Sequence, residues 1–124
     1  MICDRDSSTS YSVVLAIPGI DRIFLHHPGA NHTFMVADID FEKVKDTALF
    51  HFGYPTLMKS MFQDEGEELV HLMKSVQEAG AATSLDLAAV DANSEAGRQT
   101  GKKYWKRHFH MLTFLYRASK NSVL

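Results

Sequence analysis

The chain has 124 residues, 45% of them apolar, with 15 acidic and 13 basic side chains for a net charge of −2. That length suits one compact domain, and the single cysteine, Cys3, excludes an intrachain disulfide framework and points to a reducing, cytoplasmic setting. No apolar run is long enough for a membrane span, and "MICDRDSSTS" has neither the basic nor the apolar region of a signal peptide.

In chain order, "YSVVLAIPG" is β-branched and apolar, and "IDRIFLHHPG" follows it after a turn, so the two read as a hairpin with Pro18 at a strand end. "PGAN" is a turn signal, and Asp40 is placed to cap a short helix through Lys45. "TALFHFG" reads as a buried strand that stops at Gly53, Tyr54 and Pro55. In "DEGEELVHLMKSVQEAG", Asp64 with Glu67 three residues on forms a candidate capping box. Leu69, Leu72, Met73, Val76 and Ala79 make an apolar stripe, and Gly80 suits the C′ position. "AATSLDLAAV" supplies the next strand. Strand, helix and strand at this spacing predict a βαβ unit, hence an α/β architecture with a parallel sheet.

Such sheets place their chemistry at the carboxyl ends of the strands, where Asp86 falls. The polar loop after it carries Asp91, Asn93 and Glu95, each readable as a turn or cap residue or as a ligand contact. His26, His27 and His32 cluster, yet no cysteine is near and no HExxH spacing exists. His26 and His27 also point to opposite strand faces, so no metal site is expected. His51 reads either as a ligand contact at a strand mouth or as a core histidine, and His71 as a helix-face residue.

"IDRIFLHHPGANHTF", "LFHFGYP" and "TSLDLAAVDANSEAG", in this order, resemble the central part of the ribokinase-like (PfkB-type) carbohydrate kinases, over about residues 11–98. The resemblance implies a fragment of a doubly wound α/β domain with part of its β-sheet lid, formed by the hairpin Tyr11–Leu25. It implies ATP-dependent phosphoryl transfer to a sugar hydroxyl in the parent family, with ATP and Mg2+ as its cofactors. Gly29, Ala30 and Asn31 match the Gly-Ala-Asn segment beside the sugar, and Gly53 and Tyr54 match a strand-end position that touches sugar in some members. Asp86 resembles a strand-end residue facing phosphate and metal. The loop of Asp91, Asn93 and Glu95 departs from the family's Asp-x-Asn-x-Arg pattern.

Phosphoryl transfer needs a group to orient the nucleophile and an anion hole for the moving phosphoryl. The family draws both from a Gly-Ala-Gly-Asp turn, and no such motif occurs in this sequence; its Gly-Gly segment and the first strand with its sugar-binding Asp are absent as well. No catalytic residue is therefore assigned, and no bound cofactor is expected for the chain alone. Two classes stay open: a truncated sugar kinase inactive by itself, or a non-enzymatic fragment that binds sugar or protein. A parallel sheet cut in mid-fold leaves edges unpaired, so self-association is expected.

The ending, "GKKYWKRHFHMLTFLYRASKNSVL", holds six basic residues and no acidic one, whereas residues 1–98 hold seven basic against all 15 acidic. Basic residues interleaved with aromatics suit nucleic acid, but the acidic body argues against it. The segment has few helix breakers and is compatible with a helix. Codons compatible with residues 99–122 give another account. Read from each third base into the next codon, Tyr104–Trp105 can encode only Leu and Trp105–Lys106 only Glu. The shifted frame permits "DWxxILExTLPHVDFFIPSIEEL", which resembles the helix and strand that follow this loop in the kinases. The expected organisation is a partial kinase domain over 1–98 and an atypical basic tail, out of frame, over 99–124.

Overall fold

The computed structural model describes residues 3–88 and 90–100 and the backbone of 114–116. Strands β1 (Tyr11–Leu15) and β2 (Ile23–His27) pair antiparallel, with Tyr11 opposite His27 and Leu15 opposite Ile23. The β-branched and aromatic residues of these strands favour the pleated conformation. Pro18 sits in the connection, where its missing N–H costs no ladder bond. Every residue of both strands is exposed. This ribbon is a separate two-stranded sheet, as the expected hairpin requires.

The second sheet has the order β3 (Leu49–Gly53), β4 (Ala82–Asp86), β5 (Phe114–Tyr116), all parallel. Leu49 stands opposite Ala82 and Gly53 opposite Asp86, and Ser84 to Asp86 run beside β5. The chain is thus a mixed α/β structure with a small parallel sheet, and β3 and β4 are parallel neighbours as the βαβ reading predicts. β5 corrects the helical expectation for the ending at 114–116; the rest of that expectation lies outside the described residues.

Helix α3 (Glu67–Glu78) covers one face of this sheet. Leu69, Leu72, Met73 and Val76 recur at helical spacing and are buried together with Phe52, Met61, Ala81 and Leu85. Phe52 and Leu85 are paired across the strands, so the same pleat face meets the helix from both. Each of the Leu, Met, Val and Phe side chains contributes about 1.5–3 kcal/mol through removal from water. Val36 and Val44 join the core from the connecting segment, Val44 within the short helix α1 (Phe41–Val44), and Met61 comes from the short helix α2 (Lys59–Phe62).

The ends of α3 differ from one another. Its C-terminus closes as expected: Gly80, at φ +95°, donates its N–H to the Gln77 carbonyl at 3.0 Å, and Ala81 donates to that of Val76 at 3.3 Å. This is the paired-bond stop that a glycine in the left-handed region permits. The N-terminal capping box does not form. Asp64 and Glu65 take positive φ within a 3-10 turn, and Gly66, also left-handed, is the cap residue. Asp40 similarly precedes α1 without a capping bond from its side chain, which pairs with Lys43 at 2.9 Å instead.

Candidate functional site

The carboxyl ends of β3 and β4 face one side of the hairpin across a cavity of about 690 Å³. Ser12, Phe24 and His26 line it from the ribbon, Asn31 from the turn after β2, and Gly53 and Tyr54 from the end of β3. Leu57, Met58, Leu87 and Ala88 complete an apolar wall. Its place at the ends of parallel strands and its size are those of small-molecule sites.

The segment Gly29–Thr33 is a 3-10 turn held against the chain before β1. Gly29 has φ +49°, and a Cβ there would lie 2.3 Å from the Ser8 carbonyl oxygen, so only glycine fits. Ala30 donates its N–H to that oxygen at 2.9 Å. These two residues fix the backbone of the turn, and Asn31 is the one that reaches the cavity.

Tyr54 adopts the left-handed conformation at φ 58° and ψ 48°, uncommon for a non-glycine residue and costly by roughly 1–3 kcal/mol. Its N–H bond to the Asp86 carbonyl at 2.8 Å and the buried Pro55 that follows hold it there. The turn directs the chain sharply off the strand end, and the tyrosine lines the cavity.

Asp86 stands beside Gly53 in the register and next to Leu87 in the cavity wall, but does not itself line the cavity. Its Oδ1 is buried with no hydrogen-bond partner. Mg2+ takes an octahedron of oxygens, usually through one or two carboxylates together with phosphates and water. Asp86 offers one orphaned oxygen, and among the described residues no three His, Cys, Asp or Glu side chains gather as a metal-binding group. No glycine-rich turn that would cradle phosphates occurs in the sequence.

The loop after β4 is bound to itself. Asp91 Oδ1 accepts the N–H of Asn93 at 2.8 Å, and the Asp91 carbonyl accepts the Ser94 hydroxyl at 2.6 Å. Ser94, unmarked in the sequence reading, caps helix α4 (Glu95–Gln99) by accepting the N–H of Gly97 at 3.0 Å. The Asn93 carbonyl accepts from Arg98, and Glu95 pairs with Lys59 at 3.0 Å. These contacts are those of turn and cap residues for Asp91 and Asn93.

A second cavity, about 310 Å³, lies between this loop and the turn after β2, lined by His26, His32, Thr56, Asp91, Ser94 and Glu95. Burial, with Lys59 nearby, holds His32 below its usual pKa. His26 hydrogen-bonds Ser12 at 2.8 Å, and His27 lies against the ring of Tyr11. His51 belongs neither to the core nor to a strand mouth: it is exposed in mid-strand on the pleat face away from α3, 3.1 Å from the Ser84 hydroxyl. His71, as read, is an exposed residue on α3. Thr56, Ser12 and Phe24 carried no signal in the sequence; Thr56 follows Tyr54 and Pro55 after the end of β3.

No helix among the described residues is long and apolar enough to cross a membrane. No protein-family model and no curated protein matches the chain. Among solved structures, it is similar to the fructokinase of Xylella fastidiosa with bound ATP, with 23% identity and a TM-score of 0.68. The alignment covers 90% of this chain and 34% of the fructokinase chain. At that identity the likeness establishes the fold alone: this chain is folded like about one third of a sugar kinase.

Proposed function

We propose that the chain carries the sugar-side portion of a ribokinase-like carbohydrate kinase, and that by itself it binds a sugar in the larger cavity without phosphorylating it. The observation that carries this reading is the convergence of Asn31, Gly53 and Tyr54 on one cavity from segments more than 20 residues apart in sequence. Those positions match sugar-side positions of the kinases, and the fructokinase-like fold supports the same parentage. Gly29 and Ala30 act here as backbone supports for Asn31. Asp86, with its orphaned oxygen, is the residue that would face phosphate and metal in a complete kinase. Asp91, Asn93 and Glu95 shape the loop that borders the smaller cavity. Catalysis requires the sugar hydroxyl and the γ-phosphoryl to be held together, and loss of one stabilising group costs orders of magnitude. The absence of the catalytic turn is a larger defect than that.

The test pairs titration calorimetry with ATP-dependent phosphorylation of hexoses, pentoses, sugar acids and nucleosides, using Asp86→Ala as the control for contaminating kinase. Binding of a sugar that is lost in Asn31→Ala, with no turnover, is the expected result. Turnover above background that disappears in Asp86→Ala would overturn the inactivity, and no binding across the panel would overturn the sugar site.

For residues 99–124 the proposed origin is an out-of-frame continuation of a kinase gene. β5 supports it: residues 114–116 form a parallel strand beside β4 where the shifted reading spells Phe-Phe-Ile. The nucleotide sequence across codons 98–124 tests this directly, since codons that cannot spell the shifted segment would end the proposal.

A further inference from the structure

The smaller cavity has groups to recognise a ligand and adjoins the larger one, since His26 and Leu57 line both. Thr56 is 2% exposed, and its hydroxyl has no hydrogen-bond partner. A buried hydroxyl left unpaired costs about 1–3 kcal/mol, which a ligand hydroxyl placed beside it would remove. Other polar groups in the wall are already committed. Ser94 donates to the Asp91 carbonyl and accepts from Gly97, Glu95 is paired with Lys59, and one Asp91 oxygen serves Asn93. The second Asp91 oxygen and the His32 ring have no such commitment among the described residues. Neutral imidazole supplies one donor and one acceptor, carboxylate an acceptor, and threonine both. That mixture suits hydroxyl groups. The carboxylate of Asp91 in this wall in turn disfavours a ligand carboxylate or phosphate at this end. Pro28, Leu57, Phe62 and Ala96 give the cavity an apolar floor for the carbon face of a sugar ring.

We propose that the two cavities form one bipartite site whose ligand is an uncharged glycoside: one sugar unit in the larger cavity and a second hydroxylated unit beside Thr56, His32 and Asp91. This rests on the sugar-binding reading of the larger cavity. The test is titration calorimetry on the full chain with sucrose, maltose and lactose, their component hexoses glucose, fructose and galactose, and gluconate as the acidic probe. At least one disaccharide binds tenfold or more tightly than either of its component hexoses, and gluconate gains nothing over glucose. Thr56→Val, close to isosteric, lowers disaccharide affinity about threefold to tenfold, the range for one hydrogen bond, and leaves hexose affinity unchanged. Asp91→Asn, which keeps the oxygen that accepts from Asn93, is the second variant should Thr56→Val fail to fold, and it also reduces the disaccharide preference. Hexose binding without a disaccharide advantage, or an advantage that survives both variants, overturns the bipartite site while leaving the sugar reading intact. Failure of every sugar to bind overturns both.

Discussion

At the scale of single residues, the tightest constraint near the candidate site is Gly29. Its positive φ and the carbonyl of Ser8, 2.3 Å from where a Cβ would stand, leave no compatible side chain. Gly29→Ala must move the turn or the chain before β1, and we expect a loss of more than about 1 kcal/mol in urea unfolding together with weaker ligand binding, since Asn31 is two residues on. His32 offers a different handle. Burial and Lys59 keep its folded-state pKa below the ordinary value of 6.5. Above the ordinary value both folded and unfolded chains hold it neutral, so it has no effect on stability there. As pH falls through that value the unfolded chain takes up the proton more readily, and stability declines until pH passes below the folded-state pKa. His32→Gln should flatten the profile as pH falls below 6.5, measured by urea midpoints; an unchanged slope would remove His32 as its source.

At the scale of elements, β3, α3 and β4 were legible because their patterns are strong and agree with their packing. The apolar period of Leu69, Leu72, Met73 and Val76 matches the buried face, and Gly80 marks the stop. The start of α3 was not legible in detail. The Asp64 to Glu67 spacing fits a capping box, but φ > 0 at Asp64, Glu65 and Gly66 turns the backbone away from that geometry, and a spacing carries no information about φ. Site legibility followed the same division. Asn31 and Tyr54 were marked through the family resemblance of their segments and both line the larger cavity, whereas Thr56 joins His32 and Asp91 only by folding, across separations that no short pattern records. Leu72 lies fully buried at the centre of the helix face. Leu72→Ala should cost about 2–5 kcal/mol, read from the shift in unfolding midpoint at constant slope. A cost below 1 kcal/mol would mean that α3 does not pack on this sheet in solution.

At the scale of the molecule, the hairpin has a mixed face over the larger cavity and an uncovered apolar face on its other side. Ser12, Phe24 and His26 border the larger cavity, while Tyr11, Val13, Leu15, Ile23 and Leu25 occupy the alternate positions, and all five are exposed. A two-stranded ribbon is marginal in water without something against its apolar face. We expect the chain to self-associate through this face, with mass in light scattering rising with concentration. Val13→Lys with Leu25→Lys, a directly opposed pair, should shift it toward monomer. A monodisperse wild-type monomer with a cooperative thermal transition would refute this expectation.

The position of β3 at the sheet margin has a further consequence, for the exchange of amide hydrogens with heavy water. Tyr54 donates to Asp86 and Ala82 to Ala48, and this fixes the alternation: the N–H groups of Phe50 and Phe52 point toward β4, and those of Leu49, His51 and Gly53 point outward. With β3 at the end of the strand order, the outward set has no strand to bond among the described residues. Deuterium should therefore enter at 49, 51 and 53 well before 50 and 52, a two-residue rhythm along five consecutive positions. Uniform slow uptake across all five would reveal another strand seated on that margin, supplied by a partner or by a second copy of the chain.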